Sequence, residues 1–225
     1  ENGKTMAVRE SRRPHLGEPV KLYWNALPAQ QRKVLRACAG PTHRWKAYLA
    51  GGTALALYLG HRRSEDLDWF TPETLEPGQL LPDVKAMGFP LKLVQNDAGT
   101  FLAIVGGVKF SVFRYRYPFI EPFVETKGVN LASLRDMAAM KLAALMARAT
   151  KRDYIDIHEL LTSKRMTLPA MVQAFEEKYP GIDVSGARRA FTFFDDVVGD
   201  MPTMLTTTTW KKVTTDLARI AKRYA

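Results

Sequence analysis

Residues 51–70 read GGTALALYLGHRRSEDLDWF, and this stretch constrains the fold more than any other. Gly51 and Gly52 stand between RWKAYLA, which predicts a strand, and TALALYLG, which predicts a helix ending at Gly60. Without Cβ atoms the backbone at the glycine pair can turn sharply and approach an anion closely. A helix beginning near Thr53 would add free N–H groups and the positive end of its dipole, with Thr53 capping it or hydrogen-bonding a phosphate. DLDWF alternates as a strand, so Asp66 and Asp68 share one face while Leu67 and Trp69 take the other. Two carboxylates side by side call for a cation. Mg²⁺, or Mn²⁺ in its place, takes such oxygen ligands together with substrate phosphates. A glycine pair alone reads as a plain turn and Asp-x-Asp alone as a solvated strand face. In this order and spacing they point to a phosphate cradle followed by a metal-binding pair.

The rest of the chain sorts into two parts. Residues 1–19 read as a basic arm containing RESRRPH, with ENGKT before Met6 left out of the fold reading. A helix is predicted over 28–39, stopped by Gly40 and Pro41. EPGQLLPDVKAMG predicts a helix closed by Gly88, and PLKLV a strand. FLAIVGGVKFSVF predicts a hairpin turning at Gly106-Gly107, since both glycines accept positive φ. Beyond Pro122 the character becomes helical. NLASLRDMAAMKLAALMARATKRDYIDIHELL reads as helix with one break at 149–151. LPAMVQAFEEKY, GARRAFTFFDDVVG and WKKVTTDLARIAKRY predict three more helices, with PTMLTTTTW a polar loop. The predicted organisation is an α/β core over 20–122 and a helical domain over 123–225 packing on the site.

A second constellation lies in the helical part. Lys141 and Arg148 are seven residues apart and share a helix face, as do Asp153 and Asp156, three apart. On their own these residues fit an amphipathic helix pair with surface salt bridges. His61 and His158 lack metal-ligand spacing and read as packing or hydrogen-bonding residues.

The joint pattern resembles the nucleotidyltransferase superfold of DNA polymerase β. YLAGGTALALYLGHRRSEDLDWF more closely resembles the AbiEii/AbiGii family of nucleotidyltransferase toxins, through the glycine pair and then His61, Arg62, Ser64, Asp66 and Asp68. The resemblance continues through VKFSVFRYRYPFIEP and the Lys141–Asp156 motif and covers residues 48–161. It implies an α+β fold: a polymerase β-like core, a small mixed sheet with helices, followed by a helical C-terminal part. It also implies a Mg²⁺-dependent transfer of a nucleotidyl group from an NTP to an acceptor hydroxyl, with release of pyrophosphate. The implied nucleotide-binding residues are Gly51, Gly52, Thr53, Arg62, Ser64 and Lys141, and the implied metal ligands Asp66 and Asp68. The implied catalytic set is Asp66, Asp68, Lys141, Asp153 and Asp156, which of the last two completes the site being left open. A toxin of this kind implies a cognate antitoxin encoded nearby and an RNA acceptor such as tRNA. One departure stands out: many polymerase β-like enzymes carry a third carboxylate on a later strand, and VKFSVF holds Ser111 there. The alternative is therefore a catalytically weak or inactive nucleotide- or RNA-binding module of the same fold. A small-molecule nucleotidyltransferase of the antibiotic-resistance kind shares the first motif only.

Composition bears on the partners. The formal net charge of +10 suits a polyanion such as RNA. Cys38 is the only cysteine, which excludes an intrachain disulfide and makes a cytoplasmic location the expectation. No apolar run approaches the roughly 18 residues of a membrane span.

Overall fold

Alternation of side chains along two parallel strands gives the sheet one dry face and one face that meets the site. The computed structural model describes residues 20–76 and 78–224; the expected basic arm over 1–19 lies outside the described residues. The strands are β1 (Tyr48–Leu49), β2 (Asp66–Thr71), β3 (Leu91–Asp97), β4 (Thr100–Val105), β5 (Val108–Arg114), β6 (Val124–Thr126) and β7 (Val129–Leu131). They form one mixed sheet in the order β3-β4-β5-β2-β1-β7-β6. β2 lies parallel to β5, and β1 parallel to β7. Leu67 and Trp69 on β2 are fully buried beside Phe110 and Val112 on β5. Asp66, Asp68 and Phe70 occupy the other face, half-buried, in register with Lys109, Ser111 and Phe113.

The helices are α1 (Ala29–Ala37), α2 (Ala39–Arg44), α3 (Gly51–Leu59), α4 (Leu81–Ala86), α5 (Leu134–Arg148), α6 (Lys151–Thr162), α7 (Leu168–Lys178), α8 (Ser185–Ala190) and α9 (Trp210–Arg223). The fold is α+β as expected, with the Gly106-Gly107 hairpin and the break after α5 in place; Ala149 ends α5 in the left-handed region at φ 44°.

Four elements differ from expectation. Gly40 and Pro41 do not end the helical run, because Pro41 falls in the first turn of α2, where an N–H has no intrahelical partner to lose. The helix expected from Glu76 begins only at Leu81, since Gly78 takes φ 86° and Pro82 opens α4. Residues 124–131, assigned to the helical part with NLAS at its start read as helix, form the β6–β7 hairpin and add two strands to the sheet. The helix expected over GARRAFTFFDDVVG stops at Ala190. Its continuation is rich in Thr, Phe, Asp and Val, which are weak helix formers, and Val198 instead pairs beside Thr150.

The helical part is fastened to the sheet by a buried ion pair. Asp136, in the first turn of α5, accepts hydrogen bonds from the backbone N–H groups of Ile120 and Glu121 and from the Ser133 hydroxyl. Lys178, fully buried at the end of α7, donates to Asp136 at 2.7 Å and to the Pro118 carbonyl at 2.7 Å. Three segments thus converge on one carboxylate, and α5 is oriented by it. Replacing Lys178 with Met should destabilise the fold by about 3–5 kcal/mol by leaving Asp136 buried without its counter-charge. Urea unfolding measures the loss, and the Asp136→Asn/Lys178→Met double variant should recover part of it.

Candidate active site

The site starts at the first turn of α3. Gly51 adopts φ 66°, and a Cβ there would stand 3.4 Å from an Asp68 carboxylate oxygen. Gly52 serves a different need: a Cβ would lie 2.4 Å from Nη2 of Arg62, so only a bare backbone lets the guanidinium pass. α3 begins at Gly51 rather than at Thr53, and its first N–H groups have no intrahelical acceptors. Thr53 is buried. Its hydroxyl donates to the Asp66 carbonyl and shares a 2.7 Å hydrogen bond with Ser64. Gln31 donates to the same carbonyl at 2.8 Å. Thr53 therefore ties α3 to the start of β2.

Behind this turn lies a chain of buried charges. Asp156 of α6 is fully buried. Arg62 grips it with two hydrogen bonds, of 2.7 and 2.9 Å, His61 lies 2.8 Å away, and Lys141 pairs with it at 2.7 Å. Lys141 also donates to Asp153 at 2.9 Å, and Asp153 takes further hydrogen bonds from Arg148 and from Thr150, its own helix's N-cap. Burial alone would raise both carboxyls. The opposing charges of Arg62 and Lys141, with hydrogen bonds from His61 and Arg62, hold Asp156 well below the usual carboxylate range. Lys141, Arg148 and Thr150 likewise bring Asp153 down to about 2.

In front of the chain opens a cavity of about 540 Å³. Gly52, Arg62, Ser64, Asp66, Asp68, Lys141 and Asp153 line it, so the structure brings these expected residues together. Gly51 backs onto Asp68, while Thr53 and Asp156 stand in the second layer. Arg148, Thr150, Lys151 and Arg152 also line the cavity as a wall from the α5–α6 corner, and Arg152 lies 3.7 Å from Asp66. Burial and the neighbouring charge of Asp66 push the Asp68 carboxyl up, against a hydrogen bond from Ser111 and the charges of Lys141 and Arg148. Ser111 is Asp68's register partner on β5, the place expected for a third acid. Among the described residues no group of three or more His, Cys, Asp or Glu side chains is placed to hold a metal. Lys151 and Arg152, missed as wall residues, were visible as the basic pair ahead of Asp153. Residues 198–200, which complete the lining, carried no signal because they fall where an expected helix ends, at Gly199, and a polar loop follows.

The family model for the nucleotidyl transferase AbiEii toxin of type IV toxin–antitoxin systems matches residues 103–218, just over half of the chain. An uncharacterized protein of Aquifex aeolicus is 33% identical over 153 residues, spanning 66% of this chain and 74% of that protein. The chain belongs to the AbiEii nucleotidyltransferase toxin family. It is a nucleotidyltransferase. Two solved structures share the fold of this AbiEii chain. JHP933 from Helicobacter pylori superposes with a TM-score of 0.54 at 18% identity, covering 90% of this chain and 92% of that one. MenT4, a nucleotidyltransferase toxin from Mycobacterium tuberculosis, gives 0.52 at 16% identity, covering 88% and 85%. The matched span of the family model holds Lys141, Arg148, Asp153 and Asp156, whereas the glycine pair and Asp66–Asp68 precede it.

Two outcomes follow for the AbiEii site. Gly52→Ala should cost about 1–3 kcal/mol in thermal or urea unfolding, because Arg62 is pinned by Asp156 and cannot swing away from the new Cβ. Asp153 and Asp156 have folded values below the roughly 3.9 of an unfolded Asp. Their stabilisation is therefore complete above about pH 4 and lost as pH falls through the folded values. Unfolding measured from pH 5 to pH 2 should show a steep loss that is shallower in Asp153→Asn, which starts from a lower stability at pH 7.

Proposed function

We propose that the cavity binds a nucleoside triphosphate with Mg²⁺ or Mn²⁺ and transfers its nucleotidyl group to a hydroxyl of RNA, tRNA being the acceptor the family reading favours. One observation carries this reading: two adjacent carboxylates on β2 face a cavity whose other walls are a helix N-terminus and a set of cationic side chains. The donor set fits a hard divalent cation, since Asp68 is raised by burial and then by the neighbouring charge of Asp66. Their carboxylate oxygens would hold the ion, and the chemistry it supplies there is neutralisation of phosphate charge. The α3 N–H groups and Gly52 receive the phosphates. Lys141, anchored between Asp153 and Asp156, presents a fixed positive charge to the leaving group. The acceptor oxygen forms a bond to the α-phosphorus as the bond from that phosphorus to the bridging oxygen breaks, and pyrophosphate departs. With Ser111 on β5 no carboxylate stands at that position to take the hydroxyl proton, which passes to water. Arg148 and Arg152 are more than half exposed at the rim and, with the net charge of +10, suit an RNA backbone. Membership of the toxin family supports a cognate antitoxin as partner. No helix among the described residues is long and apolar enough to cross a membrane.

Ser111 alone favours a second reading, in which the fold binds nucleotide or RNA with little or no transfer. Incubation with each labelled triphosphate, Mg²⁺ and total RNA separates the two. Label should appear in RNA, and Asp66→Ala and Asp68→Ala should each lower it by on the order of 100-fold or more. Equal labelling by the variants, or binding of RNA with no labelling by the wild type, would contradict the proposal.

A further inference from the structure

Residues 198–205 form a strap, pinned at both ends and lining the cavity with residues 198–200, that neither sequence motif anticipates. At one end Val198 lies parallel to Thr150: its N–H donates to the Ala149 carbonyl at 3.4 Å, and its carbonyl accepts from Lys151 N–H at 3.0 Å. At the other end Met204 pairs antiparallel with Arg62. Arg63 N–H donates to the Thr203 carbonyl and Leu205 N–H to the His61 carbonyl, both at 2.8 Å. The strap is thus pinned to the α5–α6 corner and to the segment that carries the Arg62 guanidinium. Between the pins, residues 199–202 make no backbone hydrogen bond among the described residues, and four residues reach at most about 14 Å. Gly199 turns there at φ 88° with open space where a Cβ would be, and the next residue, Asp200, is exposed and lines the cavity.

Asp200 differs from the other cavity carboxylates. Asp153 is neutralised by Lys141 and Arg148, Asp66 lies beside Arg152, and Asp68 is hydrogen-bonded by Ser111. Asp200 has no hydrogen bond or ion pair among the described residues. A carboxylate on the wall of a phosphate site repels the phosphates, so it serves either a bound cation or a part of the substrate that donates hydrogen bonds. Asp66 and Asp68, side by side on β2, already supply the cation's ligands, which leaves the hydrogen-bond donors to Asp200. On a nucleotide whose phosphates lie at α3 and the cationic wall, that part is the nucleoside. A carboxylate matches the vicinal hydroxyls of a ribose, accepting from both through its two oxygens.

We propose that Asp200 is the residue that recognises the ribose of the nucleotide substrate, selecting ribonucleotides over 2′-deoxyribonucleotides. The proposal rests on the cavity being the nucleotide site. Calorimetric binding of NTPs and of the matching 2′-deoxy NTPs with Mg²⁺, to wild type and to Asp200→Ala and Asp200→Asn, tests it. Wild type should prefer the ribonucleotide by roughly 10-fold or more, the range of a hydrogen bond to a charged group. Asp200→Ala should weaken ribonucleotide binding by about that factor, weaken 2′-deoxynucleotide binding less and bring the ratio close to one, with Asp200→Asn between. A wild type without preference, a preference that survives Asp200→Ala, or a loss shared equally by both sugars would overturn it. A change in base preference, or a fall in turnover with sugar discrimination intact, would overturn it too. If wild type binds no nucleotide of either kind, the nucleotide-site reading itself fails; if it binds and transfers but Asp200 is indifferent to the sugar, only this inference fails.

Discussion

A single buried carboxylate, that of Asp156, holds the candidate site together. It receives Arg62 from the loop before β2, Lys141 from α5 and His61 from the end of the α3 turn. A lone charge in that position would be prohibitively costly; three donors with short hydrogen bonds make it tolerable and make each donor's position rigid. The consequences spread outward. Because Arg62 must reach Asp156 past α3, a Cβ at residue 52 would collide with its guanidinium. Because Lys141 is held between Asp156 and Asp153, its ammonium faces the cavity from a fixed place. Because Arg62 is fixed, the segment that pairs with it at Met204 is fixed as well.

In front of this neutralised layer stands one that is not neutralised. Asp66 and Asp68 face the cavity side by side, and only Arg152, more than half exposed, and more distant charges offset them. The contrast separates scaffold from chemistry. Carboxylates that are fully paired orient other groups, whereas the strained pair is the one with unused capacity for a ligand. Strain of this kind is maintained where function requires it and is offset by stability elsewhere, here in the Asp156 layer and the Asp136–Lys178 pair.

Much of this was legible in the sequence. The glycine pair, the helix after it and the alternating Asp66–Asp68 strand follow from local backbone preferences and period-two patterning. The family resemblance then placed Lys141, Asp153 and Asp156 near the same site. What the sequence could not show is which polar residues face inward. Thr53, expected as a nucleotide-binding residue, and Asp156, expected in the catalytic set, have Ser64 and Arg62 as partners, set by tertiary packing rather than by spacing. The β6–β7 hairpin and the strap were hidden for a related reason. Each owes its conformation to a distant partner, β1 in one case and the edges of the site in the other, and no local pattern in the sequence reports such a pairing.

The central claim is that Asp66 and Asp68 form a strained pair that a divalent cation relieves, on a scaffold that does not need it. Its most direct test is the unfolding free energy of Asp68→Asn against wild type at pH 7, with and without Mg²⁺. Removing one of two repelling charges should leave Asp68→Asn more stable than wild type without Mg²⁺, and added Mg²⁺ should stabilise wild type while leaving the variant unchanged. An Asp68→Asn protein less stable than wild type in the absence of Mg²⁺, or stabilised by Mg²⁺ as much as wild type is, would contradict the account.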